Sequence, residues 1–117
     1  MGLLGWERRQ QFKRLMRVIE EKVPADAPLI IAGDFNDWSG SLHSRFKNKL
    51  KLREASVQAN GKLAKTFPAK RPVLRLDRIY FRGFEALAAK RLSGEPWRSL
   101  SDHCALYAEL EIEVLRR

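Results

Sequence analysis

A chain of 117 residues has room for one domain and no more. It is 44% hydrophobic, no apolar run approaches the roughly 18 residues that a membrane-spanning helix needs, and no secretory apolar segment follows Met1, so a folded, soluble, cytoplasmic protein is expected. The net charge of +9 is unevenly placed: residues 45 to 78 hold eleven Lys/Arg against Glu54 and Asp77 alone, and the rest is balanced at twelve against twelve.

A positive segment of this kind draws nucleic acid, phosphorylated metabolites or anionic lipid headgroups, unless it is a solvated face that only aids solubility. The opening Met-Gly lacks the Ser or Thr that a myristoylation site carries at position 6, where Trp6 stands. The single cysteine, Cys104, forms no internal disulfide, which fits a reducing compartment, and its apolar surroundings make it a buried small residue.

Along the chain, Glu7 to Val23 reads as an amphipathic helix, with Phe12, Leu15, Met16, Ile19 and Val23 on one face of a 3.6-residue period. Pro24 and Pro28 bracket a loop. Leu29 to Ala32 is short and apolar throughout, as expected of a strand buried on both faces. A short basic helix follows near Leu42 to Leu50, capped from "SGS", and His43 within it reads as exposed. Residues 52 to 72 are ambiguous, with a turn at "ANGK" and irregular chain at Pro68 and Pro72. Val73 to Phe81 reads as a strand, Arg82-Gly83 as a turn, and Phe84 to Leu92 as a strand beside it. The last strand is the clearest: Cys104, Leu106, Ala108, Leu110, Ile112 and Val114 alternate with Ala105, Tyr107 and three glutamates. The class is α/β or α+β.

The polar residues that need explaining sit where strands begin or stop. Asp34 and Asn36 follow the first strand, pointing the same way with Phe35 turned to the core. Such a pair suits activation of a water or binding of a metal beside a donor to a phosphoryl oxygen; alternatively Asp34 caps a turn. Asp37 and Trp38 read as turn and packing residues. Asp77 lies among apolar neighbours and needs a partner, either Arg75 or Arg78 nearby or the distant His103. Asp102 and His103 open the last strand, and a histidine held by a carboxylate suits a general base.

In order, "GDFN", "LDRIYF" and "SDH", together with the helix "ERRQQFKRLMRVIEE" and the "TFPA" segment, resemble the endonuclease/exonuclease/phosphatase superfamily, the pancreatic-deoxyribonuclease-like phosphohydrolases. The resemblance implies a four-layer α/β sandwich of two mixed, largely antiparallel sheets with helices outside. It implies hydrolysis of a phosphoester (nuclease, phosphodiesterase or phosphatase) by a water, assisted by Mg²⁺ or Mn²⁺. Asp34 would activate that water and, less firmly, touch the metal. Asn36 would bind the phosphate, Asp102 would ligate the metal, and His103 would act as base or phosphate contact with Asp77 orienting it. Arg78 carries no assigned role.

The family pattern also has an earlier half, with an asparagine and a metal-binding glutamate at strand ends and a histidine in "HL" before the helix. None of these is in the chain, so residues 1–117 are expected to be the C-terminal half of one domain, truncated or assigned a late start. Such a half would leave an apolar sheet face bare, to be covered by a second copy or by the earlier half, and its turnover would be weak. The substrate is a phosphate ester, nucleic acid or lipid headgroup among the candidates. The competing expectation is a non-catalytic basic module that binds nucleic acid or another partner.

Overall fold

The computed structural model describes residues 5–35 and 41–113, with side chains from residue 10 onward. Helix α1 (Gly5–Lys22) buries Met16 and Ile19 and partly buries Phe12 and Leu15, the stripe its periodicity predicts. Strand β1 (Leu29–Asp34) follows. Its apolar run is not buried on both faces. Leu29 and Ile31 pack into the helix-side core, whereas Ile30 is 49% exposed and Ala32 is exposed. A continuous apolar run therefore marks a strand whose second face none of the described elements covers at Ile30 and Ala32.

Helix α2 (Ser41–Lys49) inserts Leu42 and Phe46 into the same core. There Phe35, Phe46 and Tyr80 meet edge to face, with ring centroids 4.9–5.7 Å apart, the arrangement aromatic quadrupoles favour. The ambiguous stretch contains strand β2 (Arg53–Glu54) and helix α3 (Ala55–Asn60).

Strand β3 (Asp77–Arg82) lies between β1 and β2 in an antiparallel sheet of order β1-β3-β2. It starts four residues later than the expected Val73. Residues 66–74 fold back on themselves instead, with the Leu74 N–H donating to Phe67 O (2.9 Å) and the Thr66 N–H to Leu74 O (2.8 Å). Those backbone groups are spent within a local hairpin and cannot extend the ladder.

At Gly83 the chain leaves this sheet. Its φ is +80°, and a Cβ there would stand 2.8 Å from Pro28 Cα, so only glycine makes the turn. Strand β4 (Phe84–Leu92) pairs not with β3, as the sequence suggested, but with β5 (Ala105–Ile112) in a second antiparallel sheet. Between them lies the short helix α4 (Trp97–Leu100). In β5, Leu106, Ala108 and Leu110 are half-buried between exposed neighbours, as the alternation predicts, and Cys104 before it is buried. A second core of Ala55, Phe81 and Ala89, with Ile79, Phe84 and Leu110 packed around it, joins the hairpin to the first sheet. This core covers the β3 part of the face that carries Ile30 and leaves the β1 part open. The result is a mixed α/β molecule with antiparallel sheets, in the class the sequence indicates.

Candidate active site

Pairing of β1 with β3 sets Asp34 directly opposite Asp77. Both side chains therefore stand on one face of the sheet, at the end where β1 stops. His103 reaches the same place from the segment between α4 and β5, anchored from both sides. The Cys104 N–H donates to Thr66 O (2.7 Å), the Ala69 N–H donates to Asp102 O (2.6 Å), and the His103 ring lies 4.8 Å from the Phe67 ring.

The two partnerships considered for Asp77 resolve in favour of the distant one. His103 Nδ1 is 2.7 Å from Asp77 Oδ2. Arg78 turns to the opposite face, where its Nε and Nη2 donate to Arg75 O (3.1 and 2.9 Å) and its Nη1 to Tyr80 Oη (3.1 Å). His43 is not exposed, as its place in a basic helix suggested. It is half-buried, with Nδ1 2.9 Å from that same Tyr80 hydroxyl.

With Nδ1–H committed to Asp77, the neutral His103 keeps its lone pair on Nε2. Nε2 lies 3.9 Å from Asp34 Oδ2, too long for a direct bond and a span that a bridged water fits. Burial pulls the His103 pKa down, but the Asp77 hydrogen bond and the charges of Asp77, Asp34 and Asp102 outweigh it, so the group sits above its ordinary value.

One residue of the cluster escaped the reading of individual residues. Thr66 is fully buried; its hydroxyl donates to Asp77 Oδ2 (2.6 Å) and accepts from the Asp77 N–H (3.2 Å). It holds the carboxylate oxygen that faces His103. Its signal in the sequence is only the "TFPA" segment, and neither periodicity nor charge distinguishes the threonine.

Ligand atoms of Asp34, Asp77 and His103 all lie within 4.8 Å of one another, a spacing that could hold a metal ion. The donor set fits a hard divalent cation through its carboxylates. Asp77 Oδ2 already accepts from Thr66 and His103, whereas Asp34 and Asp102 are the more exposed carboxylates. Asp102 is outside the three-residue cluster. Asn36, Asp37 and Trp38 lie outside the described residues.

Residues 3–103 match the model of the Endonuclease/Exonuclease/phosphatase family. Over 112 residues the chain is 39% identical to the uncharacterized protein YbhP of Escherichia coli K12 and to that of Shigella flexneri, covering 96% of itself and 44% of either relative. Among solved structures, the endonuclease/exonuclease/phosphatase from Bacteroides vulgatus is similar over 91% of this chain and 44% of its own, with a TM-score of 0.72 and 26% identity. A functionally unknown conserved protein from Enterococcus faecalis V583 shares the fold, with a TM-score of 0.70 and 23% identity over 91% of this chain and 46% of its own. The chain thus spans under half the length of the relatives it matches.

Proposed function

The chain belongs to the endonuclease/exonuclease/phosphatase family, and on that premise we propose that it supplies the water-activating half of a metal-dependent phosphoester hydrolase. The observation that carries the reading is the line Asp77–His103–Asp34, with a carboxylate 2.7 Å from Nδ1 and a second one 3.9 Å from Nε2.

In this reading Asp77, braced by Thr66, fixes the ring and its tautomer. Asp34 orients the attacking water. Nε2 of His103 takes the water's proton, or holds a proton against a phosphoryl oxygen. Asn36 donates to the phosphate as charge builds there. Asp102, with Asp34, would hold Mg²⁺ or Mn²⁺. The bound ion would neutralise phosphoryl charge and acidify water.

The test is hydrolysis of a small phosphodiester, assayed with the chain alone and with the chain joined to the preceding half of the 39%-identical relative. The joined protein should turn over and lose activity with a chelator, while the chain alone should be weak. Asp34→Asn and His103→Gln in the joined protein should each reduce kcat by roughly 10²–10⁴-fold. Turnover unchanged by both substitutions, in variants that melt normally, would sink the assignment.

A further inference from the structure

Lys13 and Arg17 of α1 line one groove with Arg45 and Lys49 of α2, a space of about 370 Å³. Met16, buried in the core, lies among them, and Glu20 is the only carboxylate lining the groove among the described residues. None of the four cations joins an ion pair among the described residues. Each helix therefore presents a like-charge pair at i and i+4, about 6 Å apart along its axis. Such pairs cost helix stability, and here two of them share one space. A ligand with several negative charges at comparable spacing relieves both repulsions at once.

Among the described residues the groove has no aromatic side chain in its lining, so none of them offers a surface on which a base could stack. Its chemistry is that of backbone recognition, in which Lys and Arg meet phosphates without reading sequence. It also lies on the side of the sheet opposite Ile30 and Ala32, in the outer helix layer that holds Leu29 and Ile31. A partner that covered the bare sheet face would leave the groove open. Its Lys13 end follows Phe12, whose ring lies 6.3 Å from that of Phe35, the residue after Asp34.

We propose that this α1–α2 groove seats the sugar-phosphate backbone of a nucleic acid, on the face of the sheet away from the Asp34–Asp77–His103 cluster. The proposal stands on charge and geometry and does not depend on hydrolysis. The sequence hid half of this site: the basic segment contains Arg45 and Lys49, but Lys13 and Arg17 belong to the charge-balanced remainder.

Fluorescence anisotropy of a labelled short DNA duplex, titrated with the full chain in chelator, separates binding from any turnover. Four neutralised phosphates contribute up to about 3.6 units to the slope of log K against log salt, roughly 0.9 each. The Lys13→Ala/Arg17→Ala/Arg45→Ala/Lys49→Ala variant should lose most of that slope. Glu20→Gln, which removes the opposing charge and leaves all four cations, should tighten binding, and this gain is not an effect of misfolding. An unchanged slope in the quadruple variant, with no gain from Glu20→Gln, overturns the proposal. So does a wild-type chain that binds vesicles of mixed neutral and anionic phospholipid but not the duplex. Duplex binding with this salt slope, in a joined protein that hydrolyses no phosphodiester, would count against the hydrolase reading alone.

Discussion

At the scale of single residues, the cluster is decided by where hydrogen-bond donors end up. Asp77 Oδ2 accepts from both Thr66 and His103, and the two donors compete for its charge. Thr66→Val keeps the volume but removes the hydroxyl, which leaves the Asp77 N–H without its acceptor. The expected cost is about 1–3 kcal/mol in urea unfolding, together with a His103 pKa higher than in the wild type, read by NMR titration. A purely structural role for Thr66 would give the first effect without the second. The His103 pKa also sets a sign for stability. Because it is raised in the folded chain, protonation of His103 stabilises the fold fully below the unfolded value of about 6.5 and this contribution is lost as pH rises through the folded value. The melting-temperature advantage of wild type over His103→Gln should therefore be largest at about pH 5 and shrink toward about pH 8; an advantage that grows with pH would contradict the pairing with Asp77.

Elements are joined here by a few buried polar groups and one obligatory turn. Glu54 ends β2 and caps α3, accepting from the Val57 N–H and from the Ile79 N–H of β3, both at 3.0 Å. Burial raises its pKa against the pull of those donors. A carboxylate that is at once a cap and a cross-strand acceptor leaves no periodic trace, which is why residues 52 to 72 are ambiguous as sequence apart from the turn at "ANGK", where Gly61 caps α3. Arg82 performs a similar task, donating to the carbonyls of Ala27, Leu50 and Pro24 at 2.9–3.0 Å and so tying the loop before β1 to the end of α2. The passage from the first sheet to the second rests on Gly83. Gly83→Ala should destabilise the chain by more than about 1 kcal/mol, since the new methyl meets both an unfavourable φ and the Pro28 backbone. A denaturation midpoint equal to wild type would show that β3 and β4 are joined less tightly than the contact implies.

For the whole molecule, the described elements leave part of the first sheet's second face uncovered. Ile30 is 49% exposed on the same face as the fully buried Phe81, its cross-strand neighbour, so the second core stops partway across the sheet. Ile30 and Ala32 are exposed apolar residues on that face, and apolar surface left bare beside a core is a candidate docking surface. The relatives, of which this chain covers 44%, are long enough to supply an element for it; a second copy is the other candidate. Sedimentation should show the chain alone associating with increasing concentration, and Ile30→Lys should suppress that association. A strictly monomeric wild-type chain would count against a second copy as the cover.

What the sequence determined by itself is whatever repeats or recurs locally. The α1 stripe, the alternation of β5, the burial of Cys104 and Phe35 and the limits of β4 follow from periods of 3.6 and 2 and from short motifs, because burial of one face is a property of each element alone. The three motifs "GDFN", "LDRIYF" and "SDH" likewise carried the family, confirmed by the match over residues 3–103. Tertiary structure alone decided which elements meet. It sent Asp77 to His103 instead of to its arginine neighbours, set Thr66 beneath them, paired β4 with β5 instead of β3, and brought Lys13 and Arg17 beside Arg45 and Lys49. These are pairings of residues at least 11 positions apart. Their selection depends on registers and crossing directions that no local pattern encodes, since the same alternation fits either neighbour equally well.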